Sequence, residues 1–284
     1  MNPFNSPLYD LFYHLNTLNG LLFTLNNQLS NFEKLYRESI SKTSFDISII
    51  FYGASLVIRD LTEWPKDGCA RYYPSGKFSS KGEEYFKLIR VLLARESACT
   101  VSQAYEAYEK FLKDISATLV FENQKLADIK KVEKFELDKK SNNLSKTDIA
   151  FWRKYIDYHY QTNTDKLKFL RKICPDISKG ETENNRVIDL TDWFVVVEEL
   201  RHFATHSNFI IKTGRMNNWS KAEREILSEY FPGINIEQGY QLDITYNDAK
   251  FCLELFSEDS FQIYKFLSIS RGYDWNILQK KKEK

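Results

Sequence analysis

One segment carries residue types that could do chemistry: TDWFVVVEELRHFATHSNFIIK, at residues 191–212. Thr191 or Asp192 can cap a helix there, and no Gly or Pro follows until Gly214. On such a helix the apolar residues share one side, and the other side carries Arg201, His202 and His206. An imidazole exchanges protons near neutral pH, and a guanidinium is a permanent cation that binds phosphate. The segment therefore predicts a helix with one anchored face and one reactive face.

This segment resembles the signature of the HEPN superfamily of ribonucleases and related helical modules. In that signature an Arg precedes Asn, Asp or His, three further residues follow, and then a His, late in an apolar helix. Arg201, His202 and His206 occupy those positions here. A second pair, Arg153 and His159, lies in surroundings that do not repeat this pattern, and we interpret it as incidental.

The resemblance implies a metal-independent endoribonuclease that needs no cofactor. His206 would act as general base or acid, Arg201 would stabilise charge on the phosphorane, and His202 would orient its neighbours or supply a further donor. Because Arg201 and His206 are about 140° apart on one helix, the family's composite site needs a homodimer in which two copies face each other. The expected partner is RNA, cleaved by its own 2′-hydroxyl to a 2′,3′-cyclic phosphate and a 5′-hydroxyl.

Other interpretations remain open. One HEPN subgroup has a Tyr two residues after the motif His, where a partner nucleotidyltransferase modifies it; Asn208 stands there in this chain. This departure argues against that toxin–antitoxin pairing and leaves open a broader toxin or defence role with an antitoxin or other regulatory partner. The main alternative is a non-catalytic HEPN-like module for dimerisation or nucleotide binding. Glu199, His202 and His206 also suggest a two-metal bundle, although such sites need a second E-x-x-H step.

Composition narrows the setting of the protein. A formal net charge of +1 means that any nucleic-acid binding must use a local patch. The four cysteines form no C-x-x-C pair, which argues against a zinc finger or a disulfide scaffold and suits a reducing cytosol. The chain starts without a basic and apolar leader, and the most apolar internal run, at 47–58, is too short to span a bilayer. We expect a cytoplasmic protein without membrane contact.

The periodicity of apolar residues predicts an all-α bundle of long antiparallel helices with a small β-hairpin insert near the C-terminus. The expected helices are 8–41, 83–98, 101–140, 149–174, 191–212, 220–230 and 248–270, and the hairpin turns at Gln238–Gly239. The apolar run at 45–64 could be a buried helix or a strand, and its length favours a helix. A loop at 66–81 suggests a division into an N-terminal helical extension at 1–80, a HEPN-like bundle at 83–270, and a disordered basic tail at 271–284.

Overall fold

The computed structural model describes residues 2–42, 49–51, 78–80, 82–138, 144–206 and 209–276. These residues form ten α-helices and a small three-stranded antiparallel sheet near the C-terminus, which confirms the predicted all-α class with a β insert. The helices are α1 (Asn5–Lys42), α2 (Gly82–Glu122), α3 (Ile129–Leu137), α4 (Ile149–His159), α5 (Asn163–Ile173), α6 (Asp176–Thr182), α7 (Leu190–His206), α8 (Thr213–Met216), α9 (Lys221–Tyr230) and α10 (Tyr246–Ser270). The strands are β1 (Ile49–Phe51), β2 (Phe78–Ser80), β3 (Ile210–Lys212), β4 (Gly233–Ile236) and β5 (Gly239–Leu242), and a 3₁₀ turn lies at Gln124–Leu126.

The chain divides into two compact units, Met1–Phe23 with Ala94–Lys284, and Thr24–Leu93. This division does not coincide with the expected boundary near residue 80. The start of α1 belongs to the larger unit because Phe4 and Leu8 are fully buried in its core. Of the expected basic tail, 277–284 lies outside the described residues, whereas Trp275 packs partly against that core.

The smaller unit contains the second half of α1, the first turns of α2 and an antiparallel pair of strands, β1 and β2. Arg37 joins its two helices, with nitrogens 2.7 Å from carboxylate oxygens of both Glu33 and Glu83. The prediction of a helix over 45–64 is wrong at β1, where cross-strand pairing to β2 fixes an extended backbone. The remaining residues of that segment, and most of the predicted loop at 66–81, lie outside the described residues.

Helix α2 is continuous where the sequence suggested two helices. Thr100 does not cap a second helix, because its hydroxyl donates to the carbonyl of Glu96 at 2.8 Å, a bond within the helix itself. The end comes instead at Glu122, and a separate helix α3 begins after Asp128, whose carboxylate accepts from the backbone N–H of Lys130 at 2.9 Å. Tyr105, Tyr108 and Glu109 therefore lie on one uninterrupted helix.

The helix predicted over 149–174 is in fact two helices, α4 and α5. Tyr160, at the end of α4, leaves helical geometry, with φ −131° and ψ 78°. Thr162 then caps α5 by accepting from the N–H of Asp165 at 3.1 Å. The turn between them places His159 at the end of α4 and beside a concave surface. A further short helix, α6, follows α5, and the sequence did not predict it.

Aromatic residues from α2, α7 and α10 form the centre of the larger unit. The rings of Tyr108 and Phe194 are stacked with centroids 4.8 Å apart and an interplanar angle of 11°. Phe256 of α10 contacts both Tyr108 and Trp193, at centroid distances of 5.3 and 5.1 Å. Thr245 caps α10, which continues without interruption to Ser270. Burial of several aromatic side chains at one point fixes the three helices relative to one another.

Helix α7 begins at Leu190, one residue before the predicted start, and ends at His206, before the predicted end at Lys212. Asp189, rather than Thr191 or Asp192, caps the start, and its carboxylate accepts from the N–H of Thr191 at 2.9 Å. At the other end Phe209 adopts φ 65°, and its N–H donates to the carbonyl of Phe203 at 3.2 Å. This left-handed residue redirects the chain into β3, so the last three residues of the predicted helix are a strand.

The sheet joins the end of α7 to the predicted hairpin. Its strand order is β3-β5-β4, with Ile211 paired to Tyr240 and Tyr240 to Asn235. Gly239 at the hairpin turn has φ +149°, and a Cβ there would lie 2.0 Å from the carbonyl oxygen of Ile211. Glycine is required at this position both for its backbone conformation and for the close approach of β3.

A buried carboxylate lies under the aromatic centre. Asp259 of α10 accepts a hydrogen bond from the Tyr108 hydroxyl and is 1% exposed. Its Oδ1 is buried and has no hydrogen-bond partner among the described residues. Burial, reinforced by the nearby negative charge of Glu181, raises the pKa of Asp259 to about 7. Ionisation of this side chain therefore opposes folding at neutral pH.

The substitution Asp259→Asn tests this cost. Because the native state holds a proton that an unfolded Asp releases near pH 4, wild-type stability falls as pH rises from about 4 to about 7. The stability of Asp259→Asn minus that of wild type should grow by about 2–3 kcal/mol between pH 5 and pH 8. Urea unfolding followed by circular dichroism measures it. The exposed control Asp243→Asn should show a flat difference, and a flat difference for Asp259→Asn as well would contradict the account.

Candidate functional site

Helix α7 presents the predicted two faces. Its buried residues include Trp193, Val196, Val197, Leu200 and Phe203, each with 5% of its surface exposed or less. The side chain of Arg201 is 38% exposed, and His202 is exposed. The helix is thus held by apolar burial on one side while its motif residues remain accessible on the other.

Arg201 is held against helix α2 by two contacts. Its Nη1 lies 3.8 Å from Oε2 of Glu109, and its Cζ lies 5.3 Å from the centre of the Tyr105 ring. The second contact is a cation–π interaction with a side chain that is only 2% exposed. Burial, together with the carboxylates of Glu198 and Glu109, raises the pKa of the Tyr105 hydroxyl. The positive charge of Arg201 offsets part of this rise in pKa. Tyr105 therefore stays neutral and acts as an aromatic platform.

Glu109 also faces a buried cation from helix α5. The Nζ of Lys166 lies 3.5 Å from Oε1 of Glu109, and this lysine side chain is 1% exposed. The same ammonium donates to the backbone carbonyl of Gln161 at 3.5 Å. A buried ammonium is costly unless a carboxylate and hydrogen-bond acceptors surround it. Glu109 thus lies between Lys166 and Arg201 and links three helices, α2, α5 and α7.

The structure places the three predicted site residues on the last turns of one helix. Arg201 contacts Glu109 and Tyr105. The His202 ring lies edge-on to that of Phe203, with the ring centroids 5.9 Å apart. His206 is the final residue of α7, but its side chain lies outside the described part of the chain, as does Asn208.

The second Arg–His pair does not form a site of its own. Arg153 has its Nε 2.8 Å from Oδ1 of Asp114. The Nε2 of His159 lies 3.1 Å from the backbone carbonyl of Lys131. The two side chains therefore engage different partners.

Sequence reasoning missed Tyr105, Glu109 and Lys166. Tyr105 falls in the apolar stripe of its helix, and Glu109 is one helical turn after it. The only signal was a carboxylate beside an aromatic stripe on α2 and a lysine beside the apolar Leu167 on α5. Neither pattern indicates which helices pack together, so the contacts of these residues with Arg201 could not be predicted from the sequence.

The two-metal alternative has no support in the described part of the chain. Both carboxylate oxygens of Glu199 accept hydrogen bonds from Arg215, at 3.1 and 2.6 Å. Among the described residues, no group of three or more His, Cys, Asp or Glu side chains is arranged to hold a metal ion. A second E-x-x-H step is also missing from the sequence.

Comparison with known proteins finds no family model, curated protein or solved structure that matches the chain. The resemblance to the HEPN superfamily therefore rests on the motif residues of α7 alone. No helix in the described ranges is both long and apolar enough to cross a membrane.

The Glu109–Lys166 pair can be tested by a double-mutant cycle. Glu109→Ala should lower the free energy of unfolding by about 1–3 kcal/mol, because it leaves the Lys166 ammonium buried without its carboxylate. In a Lys166→Met background the same substitution should cost less than about 1 kcal/mol. Denaturant unfolding gives both values.

The control for this cycle is Glu106→Ala, an exposed position on the same helix. It should cost less than about 0.5 kcal/mol in either background. Strict additivity of Glu109→Ala and Lys166→Met would show that the two side chains are not coupled.

Proposed function

We propose that this protein is a metal-independent endoribonuclease of HEPN type, acting at a composite site formed by two copies of the chain. The observation that carries the proposal is the placement of Arg201. It lies half-exposed on the motif face of α7, and contacts from Glu109 and Tyr105 hold its guanidinium in place. An accessible cation held in place this way is suited to stabilising charge that develops on a phosphate.

The proposed chemistry divides between three side chains. His206 takes the proton from the 2′-hydroxyl or returns one to the leaving 5′-oxygen. Arg201 stabilises the dianionic phosphorane, and Glu109 acts as a positioning residue that limits the rotamers of Arg201. His202 supplies a further donor to the phosphate. The nucleophile belongs to the RNA itself, so the reaction requires no metal ion.

The proposed roles of Arg201 and His206 fit the geometry of a symmetric dimer. Positions 201 and 206 are separated by about 140° around an ideal helix, so one helix cannot direct both side chains to the same phosphate easily. In a two-fold assembly the Arg201 of one copy and the His206 of the other converge on a shared cleft. The proposal therefore includes a homodimer joined near the motif face of α7.

The setting of the activity is part of the proposal. A ribonuclease without strict sequence specificity damages the cell that makes it, so we place this one in a toxin or defence role with an antitoxin or other regulatory partner. The dispersed cysteines suit the cytoplasm.

RNA cleavage in the presence of EDTA tests the function. The full-length protein should cut a labelled mixed-sequence single-stranded RNA or total transfer RNA in chelator. Arg201→Ala and His206→Ala should each lower the rate by at least about 100-fold, because each removes either charge stabilisation or proton transfer. Exposed matched controls, Arg224→Ala and His14→Ala, should keep the wild-type rate. Circular dichroism verifies that every variant is folded.

Three results would contradict the proposal. They are cleavage that EDTA abolishes, cleavage that survives both motif substitutions, and a folded dimer that binds RNA but does not cut it. The last result would instead favour the non-catalytic HEPN-like module.

Because Glu109 is a positioning residue, Glu109→Gln should lower kcat by about 3- to 30-fold with a smaller change in KM.

A further inference from the structure

A concave surface lies between helices α3, α4 and α5. We call it the α5 cleft. Its volume is about 790 Å³, within the range typical of small-molecule sites. Its lining includes the cationic side chains Lys125, Lys131, Lys168, Lys172 and Arg271, together with the carboxylates Asp128 and Asp165. The turn between α4 and α5, which the sequence did not predict, contributes His159 and Tyr160 to the wall.

Positive charge is concentrated in this cleft although the whole chain carries only +1. Most of the described lysine and arginine side chains elsewhere in the larger unit form ion pairs with carboxylates. Arg186, for example, lies 2.5 Å from Glu258. Among the described residues, by contrast, no ion pair joins any of the five cleft cations to a carboxylate. Cations brought together in excess of the nearby carboxylates repel one another, and a bound anion would relieve this repulsion.

The two carboxylates of the cleft face five cations, which leaves a formal excess of three positive charges among its lining side chains. Asp128 is the N-cap of α3, and its Oδ1 accepts from the backbone N–H groups of Lys130 and Lys131 at 2.9 and 3.3 Å. That carboxylate is thus committed to the start of the helix. The excess of cations over carboxylates in the cleft is a property of the fold, since it combines residues from a 3₁₀ turn, two helices and the end of α10.

Arg271 provides an independent observation. Its Nε is buried and has no hydrogen-bond partner in the part of the chain that the structure describes. A buried charged donor without a partner is costly, and native proteins rarely keep one without a function. Nearby, burial and to a lesser extent the positive charges of Lys131 and Lys134 lower the pKa of His159, so that its imidazole is neutral at pH 7.

We propose that the α5 cleft binds a compact polyphosphate group, such as the triphosphate of a nucleotide or of an RNA 5′ end. Four lysines and one arginine line a single cleft from a 3₁₀ turn, two helices and the end of α10. Such a cluster suits a short group of high charge density better than an extended strand. Tyr160 offers an aromatic face for an attached base, although the Nζ of Lys131 lies 5.3 Å from its ring centre. Lys131 would leave that face when it binds phosphate.

Calorimetric titration of the full-length protein in EDTA tests this site. The probes are orthophosphate, tripolyphosphate, ATP and a 20-nucleotide RNA with either a 5′-triphosphate or a 5′-hydroxyl. Tripolyphosphate should bind at least about 10-fold more tightly than orthophosphate, because several cations contact it at once. The 5′-triphosphate RNA should bind more tightly than its 5′-hydroxyl twin. The tighter of ATP and 5′-triphosphate RNA identifies whether a free nucleotide or an RNA end is the ligand.

Matched variants locate the binding. The double substitution K168A/K172A should weaken tripolyphosphate binding about 10-fold or more, and Arg271→Gln should weaken it several-fold. The control K179A/K221A removes the same charge from two exposed lysines outside the cleft and should change affinity less than about 2-fold.

Two results would overturn the proposal: equal affinities for the cleft variant and the control, or variant-sensitive binding of 5′-hydroxyl RNA without binding of tripolyphosphate. The titrations with orthophosphate, tripolyphosphate and ATP do not involve Arg201 or His206, so their outcome is independent of the proposed ribonuclease activity. The RNA titrations use the His206→Ala variant, in which the proposed cleavage is lost and the probe stays intact.

Discussion

Burial of one face of α7 is the constraint on which the rest of the larger unit depends. Trp193 and Phe194 insert between α2 and α10, where Phe194 stacks on Tyr108 and Phe256 closes the group. These contacts fix both the position of α7 and its rotation about its own axis, because a rotated helix would expose large aromatic side chains. The direction in which Arg201 points follows from that packing.

The same turn of α2 serves the core and the candidate site. Tyr108 belongs to the aromatic centre and donates to Asp259, while its neighbour Glu109 faces Lys166 and Arg201. The adjacent residues Tyr108 and Glu109 therefore connect the buried hydrogen bond to Asp259 with the ion pairs at the candidate site. A change that shifts α2 against α7 would disturb both, which is the physical reason to expect the site to be rigid.

Local patterns in the sequence predicted those features that depend on local chemistry. The amphipathic α7, the short helix α9 and the hairpin at Gly239 all follow from apolar spacing or from a turn residue. The break between α4 and α5 was missed because Thr162 competes as a cap within an otherwise helical pattern. Continuity of α2 was missed because the Thr100 hydroxyl bonds within the helix. The Glu109–Lys166 contact and the α5 cleft depend on how distant helices pack, and no local pattern encodes that.

The chemical nature of the RNA ends tests the central claim most directly, because it reports which oxygen attacks the phosphate. A mixed-sequence RNA strand and a DNA strand of the same sequence are incubated with the protein in EDTA, and the products are analysed by mass spectrometry. The account predicts 2′,3′-cyclic phosphate and 5′-hydroxyl ends from RNA and an intact DNA strand. Products with 3′-hydroxyl and 5′-phosphate ends, cleavage of the DNA, or no cleavage of RNA by the folded protein would contradict it.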